Sequence, residues 1–155
     1  MAKTHEFTGE LVWKRGGEGV ARSNHTVTFA RRPPFEVSAA PQYQGDPTRL
    51  NPEELFLAAI ASCQLLTYLA LAPRAEVEVL HYEDRATAVL AIVDRKMRIQ
   101  SVALRPRITI AGTDEAAARG LVEKAHEGCF IANSVTCEIR VEPTIVQSGA
   151  SASTA

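Results

Sequence analysis

Residues 51–72 read NPEELFLAAIASCQLLTYLALA, and the rest of the chain takes its arrangement from what this stretch becomes. Asn51 suits a helix N-cap, Pro52 the first helical position, and Glu53 and Glu54 the positive end of the helix dipole. From Leu55 to Ala72 only Ser62, Gln64 and Thr67 are polar, and Pro73 stops the run. The length approaches that of a membrane span. Two acids at its start and the lack of a second such segment argue instead for a core helix, apolar on all sides and buried between other layers.

Outward from this helix the pattern changes to strands. Residues 5–14 and 19–30 flank Gly16-Gly17, which suits a hairpin turn, and Val27 and Phe29 alternate with Thr26 and Thr28. Pro33-Pro34 ends the second run, and residues 35–37 add a short edge strand. The loop APQYQGDPTRLN, residues 40–51, leads into the helix. Beyond it, strands are expected at 76–82, 86–93 and 97–110, with charged hairpin turns at 83–85 and 94–96. Pro106 places the last run at an edge or a bulge. A second helix begins near Thr113-Asp114, with Ala118, Val122, Ala125 and Cys129 on one stripe, and ends between Gly128 and Asn133. Residues 135–141 return as a strand with Cys137, Ile139 and Val141 on one face. The fold class is α+β with largely antiparallel sheets: one domain over 1–146 and a low-complexity, disordered tail over 147–155.

Composition bounds the function. With 155 residues, 46% hydrophobic and 23% charged, one domain can bury a real core. A net charge of -1 gives no electrostatic reason to expect nucleic acid or an anionic membrane. The start, MAKTHEFTGE, carries no apolar core after its lysine, so no signal peptide is expected. Three cysteines, an odd number, predict a reducing cytosol rather than a disulfide framework.

Cys63 and Cys129 stand 66 residues apart, each in an apolar helical setting. Burial alone makes such cysteines inert packing. A working thiol needs a lowered pKa, which burial opposes. No Lys or Arg lies between Leu55 and Ala72, so a cation has to come from Lys14, Arg15, Arg22, Arg49 or a second subunit. Glu53 precedes Cys63 by ten residues, about 15 Å along a straight helix. It orients an arginine, acts across a dimer interface, or simply complements the dipole. His126 and Cys129 form H-x-x-C, but no second pair at metal spacing exists, and His5, His25 and His81 are scattered. Cys137 reads as packing. Phosphate-binding, dinucleotide-binding and nucleophile-elbow motifs are absent.

The segment NPEELFLAAIASCQLLTYLAL resembles the first cysteine helix of the OsmC/Ohr family of organic hydroperoxide reductases. AHEGCFIANS, residues 125–134, resembles its second, resolving-cysteine segment. The resemblance implies an intertwined homodimer with two central helices against β-sheets and sites at the subunit interface. It implies a peroxidase without flavin, haem or metal, in which Cys63 attacks the O–O bond, becomes a sulfenic acid and condenses with Cys129. Glu53 matches the glutamate that holds a catalytic arginine, and Arg15 or Arg22 of the first hairpin can supply it. By the same resemblance, the reductant expected is the lipoylated protein or dihydrolipoamide of the Ohr branch.

Two positions depart from the pattern. Pro41-Gln42-Tyr43-Gln44-Gly45 lacks the arginine that one branch keeps before this glycine, and Phe130 follows Cys129 where many relatives have proline. The departures keep an alternative open: a non-catalytic, small-molecule-binding dimer that retains the fold.

Overall fold

The computed structural model describes residues 4–18, 20–112 and 114–148. The chain forms two compact units, Met1–Leu55 and Phe56–Ala155. The first unit is a three-stranded antiparallel sheet of β1 (Gly9–Val12), β2 (His25–Phe29) and β3 (Phe35–Val37), in that order. The expected first pairing is present and β3 lies at the edge. Its connection is a long loop over 13–24 rather than a tight turn at Gly16-Gly17. Among the described glycines only Gly112 has a positive φ.

The loop after β3 is compact because its polar groups satisfy one another. The buried Ser38 hydroxyl donates to Asn24 Oδ1 (2.8 Å) and accepts from the Asp46 backbone N–H (2.9 Å). Asp46 in turn accepts from the Thr48 N–H and hydroxyl and from Arg49 Nε, and Arg49 Nη1 pairs with Glu36. These donors hold the Asp46 carboxyl down at about 2. Gly45 is required here, since an added Cβ would lie 1.6 Å from the Ala39 carbonyl oxygen.

Helix α1 (Pro52–Leu71) begins with a reciprocal cap: the Glu54 N–H donates to Asn51 Oδ1 (2.9 Å) and the Asn51 N–H to Glu54 Oε2 (3.1 Å). Pro73 follows in a 3-10 turn over Ala72–Ala75, where Glu76 takes a left-handed φ of 55°. Within the second unit two mixed sheets form, β4-β7-β9 and β5-β6-β8. Their strands are β4 (Glu78–Asp84), β5 (Thr87–Val93), β6 (Lys96–Leu104), β7 (Pro106–Ala111), β8 (Glu138–Val141) and β9 (Thr144–Ser148). Helix α2 (Glu115–Gly128) starts on Asp114, whose side chain accepts the Ala117 N–H (2.8 Å).

Three details correct the sequence reading. The expected strand over 97–110 is two strands broken at Arg105, and Pro106 opens the central strand β7, a first-residue position that needs no ladder donor. Asp94-Arg95 does turn a hairpin, both residues at positive φ, but 83–85 does not: β4 pairs with β7 while β5 pairs with β6. The pairings β6–β8 and β7–β9 are parallel, and Gln147 and Ser148, expected in the tail, belong to β9. The remainder of that tail, 149–155, lies outside the described residues, as does Thr113 at the expected start of α2.

The face of α1 is also corrected. Ile60, Gln64 and Tyr68 are buried, whereas Leu66 is 65% and Leu69 41% exposed, so the helix is apolar all round but covered on one side only. Its covered side serves two clusters. Tyr68 and Ala72 pack with Ile108, Ile110, Leu121, Val122 and Ala125. Ile60 packs with Val102 and Leu104, flanked by Phe56, Ile131 and Cys137.

Candidate functional site

Ala118, Val122 and Ala125 of α2 are buried, and Cys129 at its C-cap is fully buried, as the stripe predicts. The chain turns out of the helix there. The Cys129 N–H donates to the His126 carbonyl (3.2 Å), the Asn133 N–H to the Cys129 carbonyl (3.0 Å), and the Asn133 side chain to the Glu127 carbonyl (2.8 Å). This hook leaves the N–H groups of residues 130–132 directed at sulfur: Ala132 N–H reaches Cys129 Sγ at 3.4 Å, and those of Phe130 and Ile131 reach the Cys63 sulfur. Gly128 lets the helix end approach α1, since an added Cβ would lie 3.3 Å from Thr67 Cγ2.

The structure therefore brings Cys63 and Cys129 together, thiol hydrogen-bonded to thiol, with both sulfurs free. Burial pushes the Cys63 thiol up. Hydrogen bonds from the Cys129 thiol, the N–H of Ile131 and of Phe130 and the Thr67 hydroxyl more than reverse this and leave it below its ordinary value. Cys129 moves the other way. Burial, the bond to Cys63 and the charge on Cys63 all raise it above its ordinary value, with only partial relief from the N–H groups of Ala132 and Ile131. The two sulfurs are shifted in opposite directions, Cys63 down and Cys129 up. Of the two, Cys63 is therefore the sulfur with the greater thiolate character.

The other candidate residues are distributed as follows. Glu53 lies in the first turn of α1, and its Oε2 is shielded from solvent with no hydrogen-bond partner among the described residues. Arg15 and Arg22 are exposed in the loop between β1 and β2, and Arg49 is engaged by Glu36 and Asp46. His126 does not join Cys129 in a metal site. It lines a separate cleft of about 250 Å³ with Arg119, Val122, Glu123, Val141 and Pro143. Among the described residues no cluster of three His, Cys, Asp or Glu is placed to hold a metal. Cys137 lines another cleft of about 340 Å³ with Phe56, Arg98 and Ile99, and packs against the Ile60 cluster.

Thr67 and the backbone donors of 130 and 131 were missed from sequence. Thr67 stands four residues after Cys63, one turn away on the same face, and its single hydroxyl proton has two acceptors in reach, the Cys63 sulfur and the Cys63 carbonyl (2.8 Å), serving one at a time. That spacing was a readable signal; the backbone donors had none.

Two helix-borne thiols brought together on mixed three-stranded sheets define a class of α+β chain. The OsmC-like protein family model matches residues 45–144, and the chain belongs to that family. It is 28% identical over 92 residues to the peroxiredoxin OsmC of Escherichia coli, covering 59% of this chain and 64% of that one. It is 22% identical over 153 residues to the uncharacterized protein YmaD of Bacillus subtilis, covering 94% and 97%. An OsmC-like protein of unknown function from Vibrio cholerae has the same fold, with a TM-score of 0.83 and 29% identity over 91% of this chain and all of that one.

Proposed function

We propose that the chain is a cysteine-based peroxidase that reduces organic hydroperoxides to alcohols in a reducing cytosol. The observation that carries this reading is the meeting of the Cys63 and Cys129 sulfurs beside the N–H groups of residues 130–132, with Cys63 shifted below and Cys129 above its ordinary value. Family membership, and a relative in E. coli named a peroxiredoxin, support it.

The chemistry closes on sulfur alone. The Cys63 thiolate attacks the hydroperoxide O–O bond, the alkoxide leaves and is protonated to the alcohol, and Cys63 becomes a sulfenic acid. The Cys129 thiol then attacks that sulfur, water departs, and a Cys63–Cys129 disulfide forms. A dithiol such as dihydrolipoamide, free or on a lipoylated protein, returns both thiols, so no flavin, haem or metal is called for. Glu53 and Arg15 are assigned as a carboxylate–guanidinium pair, for which the unpartnered Glu53 Oε2 is the support. About 15 Å of helix separates Glu53 from Cys63, so the pair serves the site of the partner subunit in a homodimer. The exposed Leu66 and Leu69 of α1 suit burial in that dimer.

The test is steady-state consumption of cumene hydroperoxide or tert-butyl hydroperoxide with dihydrolipoamide as reductant. Cys63→Ser is expected to fall to the uncatalysed rate. Equal turnover by wild type and Cys63→Ser would overturn the reading. One observation favours the alternative, a non-catalytic small-molecule-binding dimer: the groups that lower Cys63 are all neutral. That alternative predicts slow alkylation of Cys63 at about pH 6, well below the ordinary thiol value.

A further inference from the structure

Gln64 follows Cys63 on α1 and is 1% exposed, and Tyr68, one turn on, is 0% exposed. Gln64 Nε2 donates to the Val122 carbonyl at 3.1 Å and the Tyr68 hydroxyl to the Ala118 carbonyl at 3.2 Å. The two bonds are one turn apart on α1 and one turn apart, in the opposite sense, on α2. The neighbouring residues of the same two turns of α1 meet the C-terminal end of α2: an added Gly128 Cβ would lie 3.3 Å from Thr67 Cγ2, and Cys63 meets Cys129.

The amide is an odd choice for this position if packing is all it does. Gln64 Oε1 is buried with no partner, which costs free energy that a methionine or leucine would not incur. The carbonyls of Val122 and Ala118 lie inside α2 and already accept helix N–H groups, so neither would be orphaned without the side chains. What the two bonds add is direction: they fix which turn of α1 faces which turn of α2, as apolar contacts alone do not. A slip along either helix would carry Cys63 away from the donors at 129–131.

We infer that Gln64 and Tyr68 are positioning residues that lock the register of α1 on α2 and so hold the Cys63 sulfur against Cys129 and the N–H groups of Phe130 and Ile131. The inference rests on the proposed peroxidase reading for its purpose, but its test needs no peroxide. Gln64→Met and Tyr68→Phe, singly and together, keep volume and remove the bonds. Cys63 alkylation by iodoacetamide in the reduced protein is followed by peptide mass spectrometry across pH, and closure of the Cys63–Cys129 disulfide by diamide is followed alongside thermal unfolding.

Gln64→Met is expected to unfold at the same or a higher temperature. Its Cys63 is expected to alkylate about fivefold more slowly at about pH 6, the effect of roughly one ordinary hydrogen bond, and the double variant to close its disulfide more slowly still. Ile60→Val, on the same face but packed on Val102 and Leu104, should lower the unfolding temperature without changing alkylation. Wild-type alkylation and closure in the double variant would overturn the inference, as would a slowing that simply tracks lost stability across all variants. Failure of the wild type to turn over peroxide would instead strike the functional reading and leave this result standing.

Discussion

Two regions of this molecule hold an acid below its ordinary value, and they do so by different means. At Asp46 the Thr48 hydroxyl and N–H contribute most, ahead of the charged Arg49 and the Asn24 amide, in a half-buried loop where they outweigh the burial penalty. At Cys63 the donors are a thiol, two backbone N–H groups and a hydroxyl, and they must first overcome burial. Charge is the stronger lever in isolation, but Arg49 is already engaged by Glu36 and Asp46. The thiol site works by direction: fixed donors aimed at one sulfur, in a setting where each counts for more than it would in water.

The comparison breaks first at its sulfur donor. Cys129→Ala removes the thiol that donates to Cys63 and should raise the midpoint of Cys63 alkylation by about one pH unit, since a bond to a charged acceptor is worth about a factor of ten. Cys129→Ser keeps an O–H donor and should leave the midpoint near that of wild type while abolishing the intramolecular disulfide. Equal midpoints in the alanine and serine variants would remove Cys129 from the activation of Cys63.

A smaller effect belongs to Asp46. Its folded value of about 2 lies below the ordinary 3.8, so its contribution to stability is present above that ordinary value and is lost as pH falls toward about 2. The Thr48 amide resonance, reporting its bond to Asp46 Oδ1, should titrate with a midpoint of about 2. A midpoint at the ordinary 3.8 would mean the loop network does not hold the carboxyl.

Local signals made much of this legible. Asn51-Pro52-Glu53 marks the start of α1, and the cap on Glu54 bears it out. The α2 stripe places Cys129 among buried residues, and the charged pair Asp94-Arg95 marks a true hairpin. What escaped was non-local. Nothing in 83–85 distinguishes a hairpin from a change of sheet, and β9 is a five-residue strand whose partner β7 lies beyond α2. A helix apolar on every side gives no sign of which side is covered, so the exposure of Leu66 was unreadable. At the site, spacing offered the cysteines and the resemblance paired them. The hook over 129–133 that supplies their donors is backbone, and backbone donors leave no mark in side-chain identity.

The most direct test of the peroxidase reading is to give the fully reduced protein one equivalent of cumene hydroperoxide and map its sulfurs by mass spectrometry. The account predicts loss of two thiols per chain, one equivalent of cumyl alcohol, a disulfide joining the Cys63 and Cys129 peptides, and Cys137 still free. Three intact thiols with the hydroperoxide unconsumed would contradict it.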